Sequence, residues 1–180
     1  LIDPFCGSGT IPIEAALLAL GIPPGIKRRF AFMDWPGFDA NLWKTVCAEG
    51  AQKVFAAMPP ILAADRDAGA VRMARENAQR AGVADFIQFK VQAVSGLQNL
   101  NPAGGPIWET PKPGGQKTGW VVTNPPYGLR VSEGKDLRNL YAQLGNVLRA
   151  ACPGWQVAIL TNDLMLLGQT GLKLDAALAL

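Results

Sequence analysis

Two short segments contain residues whose types and spacing could do chemistry. The first, Asp3–Thr10, reads DPFCGSGT, and the second, which starts at Asn124, reads NPPY. Glycines in a turn let a ligand approach the backbone closely, and a helix that starts there offers free N–H groups. Two successive prolines hold Asn124 and Pro125 in extended geometry. The sequence therefore predicts a ligand-binding turn and a rigid corner.

The residues of the glycine turn indicate what it could bind. No Lys follows the last glycine, which excludes a Walker A loop, and the absence of G-x-G-x-x-G spacing makes dinucleotide binding a weak hypothesis. The carboxylate of Asp3 would repel a phosphate and attract a cation. S-adenosylmethionine, with an adenosine end and a positively charged amino-acid end, fits these features. The alternative is that GSG is only a tight turn between a strand and a helix.

Asp65 stands at the end of a predicted buried strand, where a carboxylate can accept both hydroxyls of a ribose. Its separation from the glycine turn is far longer than the usual ~20 residues. An insert at 21–60 explains this separation and leaves Asp65 at the same place in the sheet. The alternative role is that of a carboxylate at a helix N-terminus, which Asp67 fills better.

The corner at Asn124 fits methylation of an exocyclic amine. The side-chain oxygen of Asn124 and the carbonyl oxygen of Pro125 can accept hydrogen bonds from the amine, which stabilises the positive charge that develops as its nitrogen attacks a sulfonium methyl. Tyr127 offers a face on which a flipped base can stack. The alternative is a rigid Pro-Pro turn with a surface tyrosine.

Composition limits the remaining possibilities. The 180 residues, 49% hydrophobic and 17% charged, suit one globular domain, and a net charge of +3 permits a nucleic-acid partner without requiring one. The absence of histidine excludes His-based triads and most catalytic zinc sites, so no metal is expected. The cysteines form no ligand-like spacing and are expected to be buried thiols in a reducing cytosol. No segment is long and apolar enough for a membrane span, so we expect a cytoplasmic protein.

Strands and helices alternate along the chain, and the strands are apolar throughout. The predicted strands are LID, PILAAD, FIQFKVQAV, WVVT and WQVAILTN. The predicted helices are TIPIEAALLALG, 40–57, DAGAVRMARENAQRAG, 135–151 and part of 163–180, with a loop at 101–119. This pattern predicts a doubly wound α/β sandwich with a mostly parallel sheet. The usual strand order 3-2-1-4-5 would place the glycine turn and the NPPY corner side by side at the switch point.

With both motifs identified, the chain resembles amino-methyltransferases that carry DPxCGSGT and NPPY loops. More narrowly, it resembles the bacterial 23S ribosomal RNA guanine-N2 methyltransferase family, some of whose members are labelled N6-adenine-specific DNA methylases. The matching segments are LIDPFCGSGTIPIEAALLA, PPGIKRRFAFMDWPGFDANLW, AADRDAGAVRMARENAQRAGV, VVTNPPYGLR and LYAQLGNVLRAACPGWQVAIL. They cover nearly the whole chain, and the aromatic segment is the most specific because generic methyltransferases lack it.

The resemblance implies a Rossmann-like class I fold, S-adenosylmethionine as cofactor, and methyl transfer to guanine N2 in ribosomal RNA. The residues expected to line the methionine side of the cofactor are Asp3, Phe5, Cys6, Gly7, Gly9 and Thr10. Asp65 would hold the ribose, and Asn124, Pro125 and Tyr127 would hold the target base. The chain departs from the family at Ala93, where an acid usually contacts the adenine amino group.

Family members also carry upstream RNA-binding modules, including a THUMP domain, and two further strands after the fifth. The resemblance therefore implies that 1–180 is a catalytic domain without the last strands of its sheet. Lys27, Arg28 and Arg29, beside two phenylalanines, are candidate RNA contacts, as is Arg130; a solvated basic loop is the alternative. Rival functions are adenine-N6 methylation of DNA, methylation of a glutamine amide, and non-catalytic binding of RNA or cofactor.

Overall fold

The fold is seen in a computed structural model of the chain, which describes residues 1–26, 28–51, 58–99, 119–127 and 137–175. Within these ranges five strands form one parallel sheet in the order β3-β2-β1-β4-β5. The strands are β1 Ile2–Asp3, β2 Leu62–Asp65, β3 Gln88–Val91, β4 Trp120–Thr123 and β5 Gln156–Ile159. The predicted strand order is confirmed, and β1 at the centre pairs with both β2 and β4.

Helices cover both faces of this sheet, as a doubly wound fold requires. They are α1 Thr10–Ala19, α2 Ala40–Gly50, α3 Ala68–Ala81, α4 Leu137–Ala151 and α5 Leu164–Gln169. One hydrophobic cluster joins α1 and α3 to the sheet through small residues such as Ala16, Ala74 and Ala78. The other joins α4 to the opposite face through Leu144, Val147 and Leu148, which interlock with β1, β2 and β4. None of the helices in the described ranges is long and apolar enough to cross a membrane.

The local signals at the ends of α3 act as the sequence predicts. The Asp67 carboxylate caps the helix by accepting from the Gly69 amide at 2.7 Å, and Gly82 ends it with a φ of 80°. Gly21, after α1, likewise has a positive φ of 65°. Val71, Ala74 and Ala78, spaced along one face of α3, are buried, whereas Ala81 is only partly buried.

Other boundaries differ from the predictions. The third strand is shorter than predicted, because Ala84–Phe86 and Val94–Asn99 on either side of it form 3-10 helices. A further 3-10 helix, Ala31–Asp34, forms inside the aromatic segment of the insert, where no helix is predicted. Predictions for 52–57, 101–118, 135–136 and 176–180 fall outside the described residues.

Gly145 offers a test of the packing between α4 and α5. A Cβ at this buried position would lie 1.8 Å from the carbonyl oxygen of Thr170, so Gly145→Ala forces the two segments apart. Overpacking of this kind typically costs about 1–3 kcal/mol of unfolding free energy, and urea denaturation would measure it. Gly168→Ala on α5 is the matched control, since nothing lies within 4 Å of its added Cβ. It should leave stability equal or raise it by about 0.4–1 kcal/mol; equal losses in both variants would contradict the packing argument.

Candidate functional site

The glycine turn and the NPPY corner meet at the carboxyl ends of β1 and β4. These strands are neighbours, with Ile2 opposite Val121. At their ends the Thr123 hydroxyl donates a hydrogen bond of 2.7 Å to Asp3 Oδ1, and both side chains are buried. Two segments 120 residues apart in sequence are therefore joined by one buried side-chain contact.

The Asp3 carboxyl group lies in an unusual electrostatic environment. It also accepts from the Phe5 amide at 3.2 Å. Burial raises the pKa of Asp3 to about 6, although the hydrogen bonds from Thr123 and Phe5 favour the ionised form, and the nearby charge of Asp65 adds a smaller upward contribution. Two carboxyl groups thus face this edge of the sheet, and the more buried one titrates near neutral pH.

Glycine conformation shapes the turn between β1 and α1. Gly7 and Gly9 have φ values of 50° and 88°, a region that other residues rarely adopt. The Cys6 amide donates to Ala64 on β2 at 2.9 Å, and the Gly9 amide to the Cys6 carbonyl at 2.7 Å. A Cβ on Gly9 would lie 2.9 Å from that of Ala74, so glycine also permits the close approach of α3. The turn is fixed from both sides.

Asn77 is a residue of this site that the sequence analysis missed. Its side-chain nitrogen donates to the Ser8 carbonyl at 2.8 Å and ties α3 to the turn. The sequence predicts the helix itself but not this contact. Nothing in the sequence indicates the partner of Asn77, because 69 residues separate it from Ser8.

Asp65 links the turn to the end of β2. Its Oδ2 accepts from the Gly7 amide at 3.1 Å and its Oδ1 from the Asp67 amide at 3.0 Å. Each carboxylate oxygen can accept more than one hydrogen bond, so the half-buried group retains acceptor capacity for a ligand. Asp67 caps α3, as predicted, so the carboxylate of Asp65 is not needed as the cap of this helix.

The cysteine predictions are correct at two positions and wrong at one. Cys6 and Cys152 are buried, and burial raises the pKa of their thiols to about 12 and about 11. Asp3 and Asp65 raise the Cys6 pKa further, so its thiol is a packing group rather than a nucleophile. Cys47 is only half-buried, because α2 contributes no buried residue to either core.

The NPPY corner continues directly from β4. Asn124 is exposed, Pro125 is buried, and Pro126 and Tyr127 are half-buried. The Tyr141 hydroxyl of α4 donates to the Pro126 carbonyl at 3.3 Å. The corner therefore presents Asn124 to solvent while its prolines pack against the protein. Tyr141 was not predicted as a site residue, because it stands at a buried position of α4 among apolar residues.

The remaining predicted site residues lie in varied surroundings. Thr10 begins α1 and is exposed, Phe5 is half-buried, and Ala93 is exposed two residues after β3. The guanidinium of Arg28 lies 5.5 Å from the centre of the Phe30 ring. Exposed Arg29 forms an ion pair with Asp34. Lys27 and Arg130 lie outside the described residues.

The aromatic insert is attached at the amino ends of the strands. The glycine turn and the NPPY corner lie at the opposite, carboxyl ends, which form the crevice. Helix α1 starts at the carboxyl edge and runs back along the strands for about 15 Å, and β2 is entered at Pro60, whose carbonyl accepts from the Leu1 amino group at 2.8 Å. Within the insert, aromatic rings pack against one another at centroid distances of 5.4–5.9 Å. A pocket of about 410 Å³ opens there. It is lined by Phe32, Trp35, Gly37, Phe38, Asp39, Leu42 and Trp43. None of these residues belongs to the glycine turn, the end of β2 or the NPPY corner.

A parallel sheet in this strand order, with an acidic glycine turn beside an NPPY corner, defines a doubly wound fold of the methyltransferase type. The chain belongs to the family described as RMKL-like, methyltransferase domain, which matches residues 1–173.

Individual relatives agree with this assignment. The chain is 38% identical to the ribosomal RNA large subunit methyltransferase K/L of Shewanella sp. (strain W3-18-1), over 97% of this chain and 23% of that protein. It thus spans about a quarter of that relative's length. The crystal structure of SMU.472 complexed with SAH superposes with a TM-score of 0.73 at 32% identity, over 97% of this chain and 42% of that one. A protein described as a predicted N6-adenine-specific DNA methylase from Listeria monocytogenes gives 0.71 at 32% identity, over 94% and 41%.

The Asp3 carboxyl generates a pH dependence of stability. Its pKa of about 6 in the folded protein lies above the value of about 3.9 for an unfolded chain. The folded state therefore keeps a proton that the unfolded state has lost, and stability from this group falls as the pH rises between these values, by on the order of 3 kcal/mol. Urea denaturation of the ligand-free wild type and of Asp3→Asn at a series of pH values would measure this fall. The difference in unfolding free energy between the two proteins should change with pH, because only the wild type carries the titrating group. A difference that stays constant from about pH 4 to about pH 7 would contradict it.

Proposed function

We propose that this chain is the catalytic domain of an S-adenosylmethionine-dependent methyltransferase that modifies an exocyclic amine of a nucleic-acid base. The base proposed is guanine, modified at N2 in ribosomal RNA. The observation that carries the proposal is the 2.7 Å contact between Thr123 and Asp3. It brings the turn suited to a cationic cofactor against the corner suited to an amine, so donor and acceptor of a methyl group can share one crevice.

The proposed cofactor site uses the turn and the end of β2. The residues proposed for the methionine side are Asp3, Phe5, Cys6, Gly7, Gly9 and Thr10, and Asp65 is proposed to hold the ribose hydroxyls. Two features support this choice. A cationic ligand would stabilise the ionised form of the buried Asp3 carboxyl group, and the Gly7 amide already orients the carboxylate of Asp65. SMU.472, a structural neighbour, is complexed with SAH, the demethylated form of this cofactor.

The proposed chemistry places the amine between Asn124 and Pro125. Both oxygens accept hydrogen bonds from the amine, so that its nitrogen lone pair points at the sulfonium methyl. The new N–C bond forms as the S–C bond breaks, its electron pair stays on sulfur, and the resulting ammonium loses a proton to water. Tyr127 provides a stacking face for the base. Exposed Asn124 next to buried Pro125 supports this role, because the acceptor is accessible and its backbone is fixed.

The substrate class comes from the relatives. A chain 38% identical is named ribosomal RNA large subunit methyltransferase K/L, which favours ribosomal RNA. Guanine N2 rests on the resemblance of the aromatic segment at 21–43. Arg28 and Arg29, with Lys27 and Arg130, are proposed RNA contacts; Arg28 is exposed beside Phe30, as a base- or phosphate-contacting residue must be. The name of the Listeria structure keeps adenine N6 in DNA as the second candidate.

Paired substitutions in the full-length protein separate the two halves of the site. Asn124→Ala should lower the methyl-transfer rate by about 10²–10³-fold, the usual effect of removing a group that stabilises developing charge, while cofactor affinity stays within about twofold. Asp65→Ala should instead weaken cofactor binding by about 10–100-fold, since it removes hydrogen bonds to a charged acceptor. Calorimetric titration and radiolabelled methyl transfer measure the two quantities. Near-normal turnover in Asn124→Ala would refute the catalytic role of that residue.

The modified base can be read from the product. Ribosomal RNA and double-stranded DNA are each incubated with the full-length wild-type protein and the cofactor, digested to nucleosides and analysed by mass spectrometry. We expect N2-methylguanosine from unmodified ribosomal RNA and no methylated nucleoside from DNA. N6-methyladenine in the DNA would replace the guanine assignment, and cofactor binding without transfer to either would indicate a binding domain.

A further inference from the structure

Tyr141 is a buried polar residue that the proposed chemistry does not use. Its side chain on α4 has 0% exposure, and its hydroxyl lies 3.3 Å from the carbonyl oxygen of Pro126. A hydroxyl removed from water requires hydrogen-bond partners. The partner here is part of the NPPY corner.

A second side chain, that of Thr161 just after β5, lies beside the Tyr141 hydroxyl. A carbonyl can only accept, so Tyr141 donates its single proton to Pro126. A hydrogen bond between Thr161 and Tyr141 would therefore run from the Thr161 hydroxyl to the Tyr141 oxygen. Thr161 in turn accepts from the Asp163 amide at 3.1 Å. Together these groups would form a relay of donors in one direction, in which each hydrogen bond strengthens the next.

The start of the relay is itself fixed. Asp163 caps α5 by accepting from the Leu166 amide at 2.9 Å, and the Leu160 amide donates to the Thr123 carbonyl at 2.9 Å. The end of β5 is thus attached both to its own helix and to the last residue of β4. Thr161 is therefore held beside the end of β4, where the NPPY corner starts.

The torsion angles of the corner show what this relay adds. The proline rings fix φ of Pro125 and Pro126, and the following proline restricts ψ of Asn124 and Pro125. Pro126 is followed by Tyr127, so no proline restricts its ψ. That angle sets the direction of the Pro126 carbonyl and hence the position of the Tyr127 ring.

We propose that Tyr141, oriented by Thr161, is a positioning residue that fixes ψ of Pro126 and thereby places Tyr127 against the target base. This inference rests on the proposed methyl transfer at the same corner. Tyr141 lies within the protein core, so it acts through Pro126 and does not touch the substrate. Its loss should affect the base and leave the cofactor site unchanged.

The test compares Tyr141→Phe and Thr161→Val in the full-length protein, with Thr170→Val as the matched control. Thr170 is a buried threonine whose hydroxyl donates to the carbonyl of Leu167 at 2.8 Å, and it lies outside the relay. All three variants keep their side-chain volume nearly unchanged. Each relay variant should lower single-turnover transfer to ribosomal RNA or raise its KM by about 5- to 10-fold, the effect of one hydrogen bond. The double variant should be little worse than the worse single variant, and cofactor affinity should stay within about twofold.

A readout independent of activity distinguishes this inference from the proposed function. In protein labelled with ¹⁵N-tyrosine, the resonance of the Tyr127 amide, identified by its loss in Tyr127→Phe, should shift in both relay variants and not in Thr170→Val. If the shift occurs but the wild type transfers no methyl group, the positioning role stands and the proposed function fails. If the wild type is active and the relay variants match Thr170→Val in rate and spectrum, or if their effects simply add, the positioning role is refuted.

Discussion

The hydrogen bond from Thr123 to Asp3 is the contact on which the rest of the site depends. It lies where β1 and β4 end, at the point where successive crossovers leave the sheet in opposite directions. A buried carboxylate is costly unless its oxygens have partners. Thr123 and the Phe5 amide supply those partners, and their positions in turn fix the start of the glycine turn. One polar contact thus sets the relative placement of two loops that the chain itself separates widely.

The same contact holds the carboxyl group of Asp3 near that of Asp65. Burial is the main cause of the raised pKa of Asp3, and repulsion from the nearby Asp65 adds a smaller contribution. Two ion pairs among the described residues, Arg29 with Asp34 and Arg72 with Glu76, lie elsewhere. A cationic ligand would relieve this repulsion, whereas a phosphate would add to it. The charges at this site therefore favour a sulfonium cofactor over a dinucleotide.

Much of the fold could be predicted because its signals are local. Asp67, Gly82 and Gly21 mark helix ends through capping and positive φ, which depend only on neighbouring residues. Strand order followed from the general rules for parallel sheets. The contacts of Asn77 and Tyr141 could not be predicted in this way, because hydrophobic periodicity indicates that a position is buried and not what lies opposite it. The half-exposed Cys47 was missed for a related reason. Helix α2 is amphipathic, but its aromatic neighbours pack among themselves and add no residue to the central cores.

The rigidity of the corner has two physical sources that respond differently to substitution. Proline rings restrict torsions covalently, without any partner, so this part would persist even in a partly unfolded chain. The direction of the Pro126 carbonyl depends instead on Tyr141, and therefore on the packing of α4 against β4 and β5. Asn124 and Pro125, the proposed acceptors, fall within the covalently restricted part, and Tyr127 falls beyond it. The amine-binding geometry is thus inherent in the local sequence, whereas the stacking geometry requires the assembled fold. Only the first could be recognised from four letters of sequence.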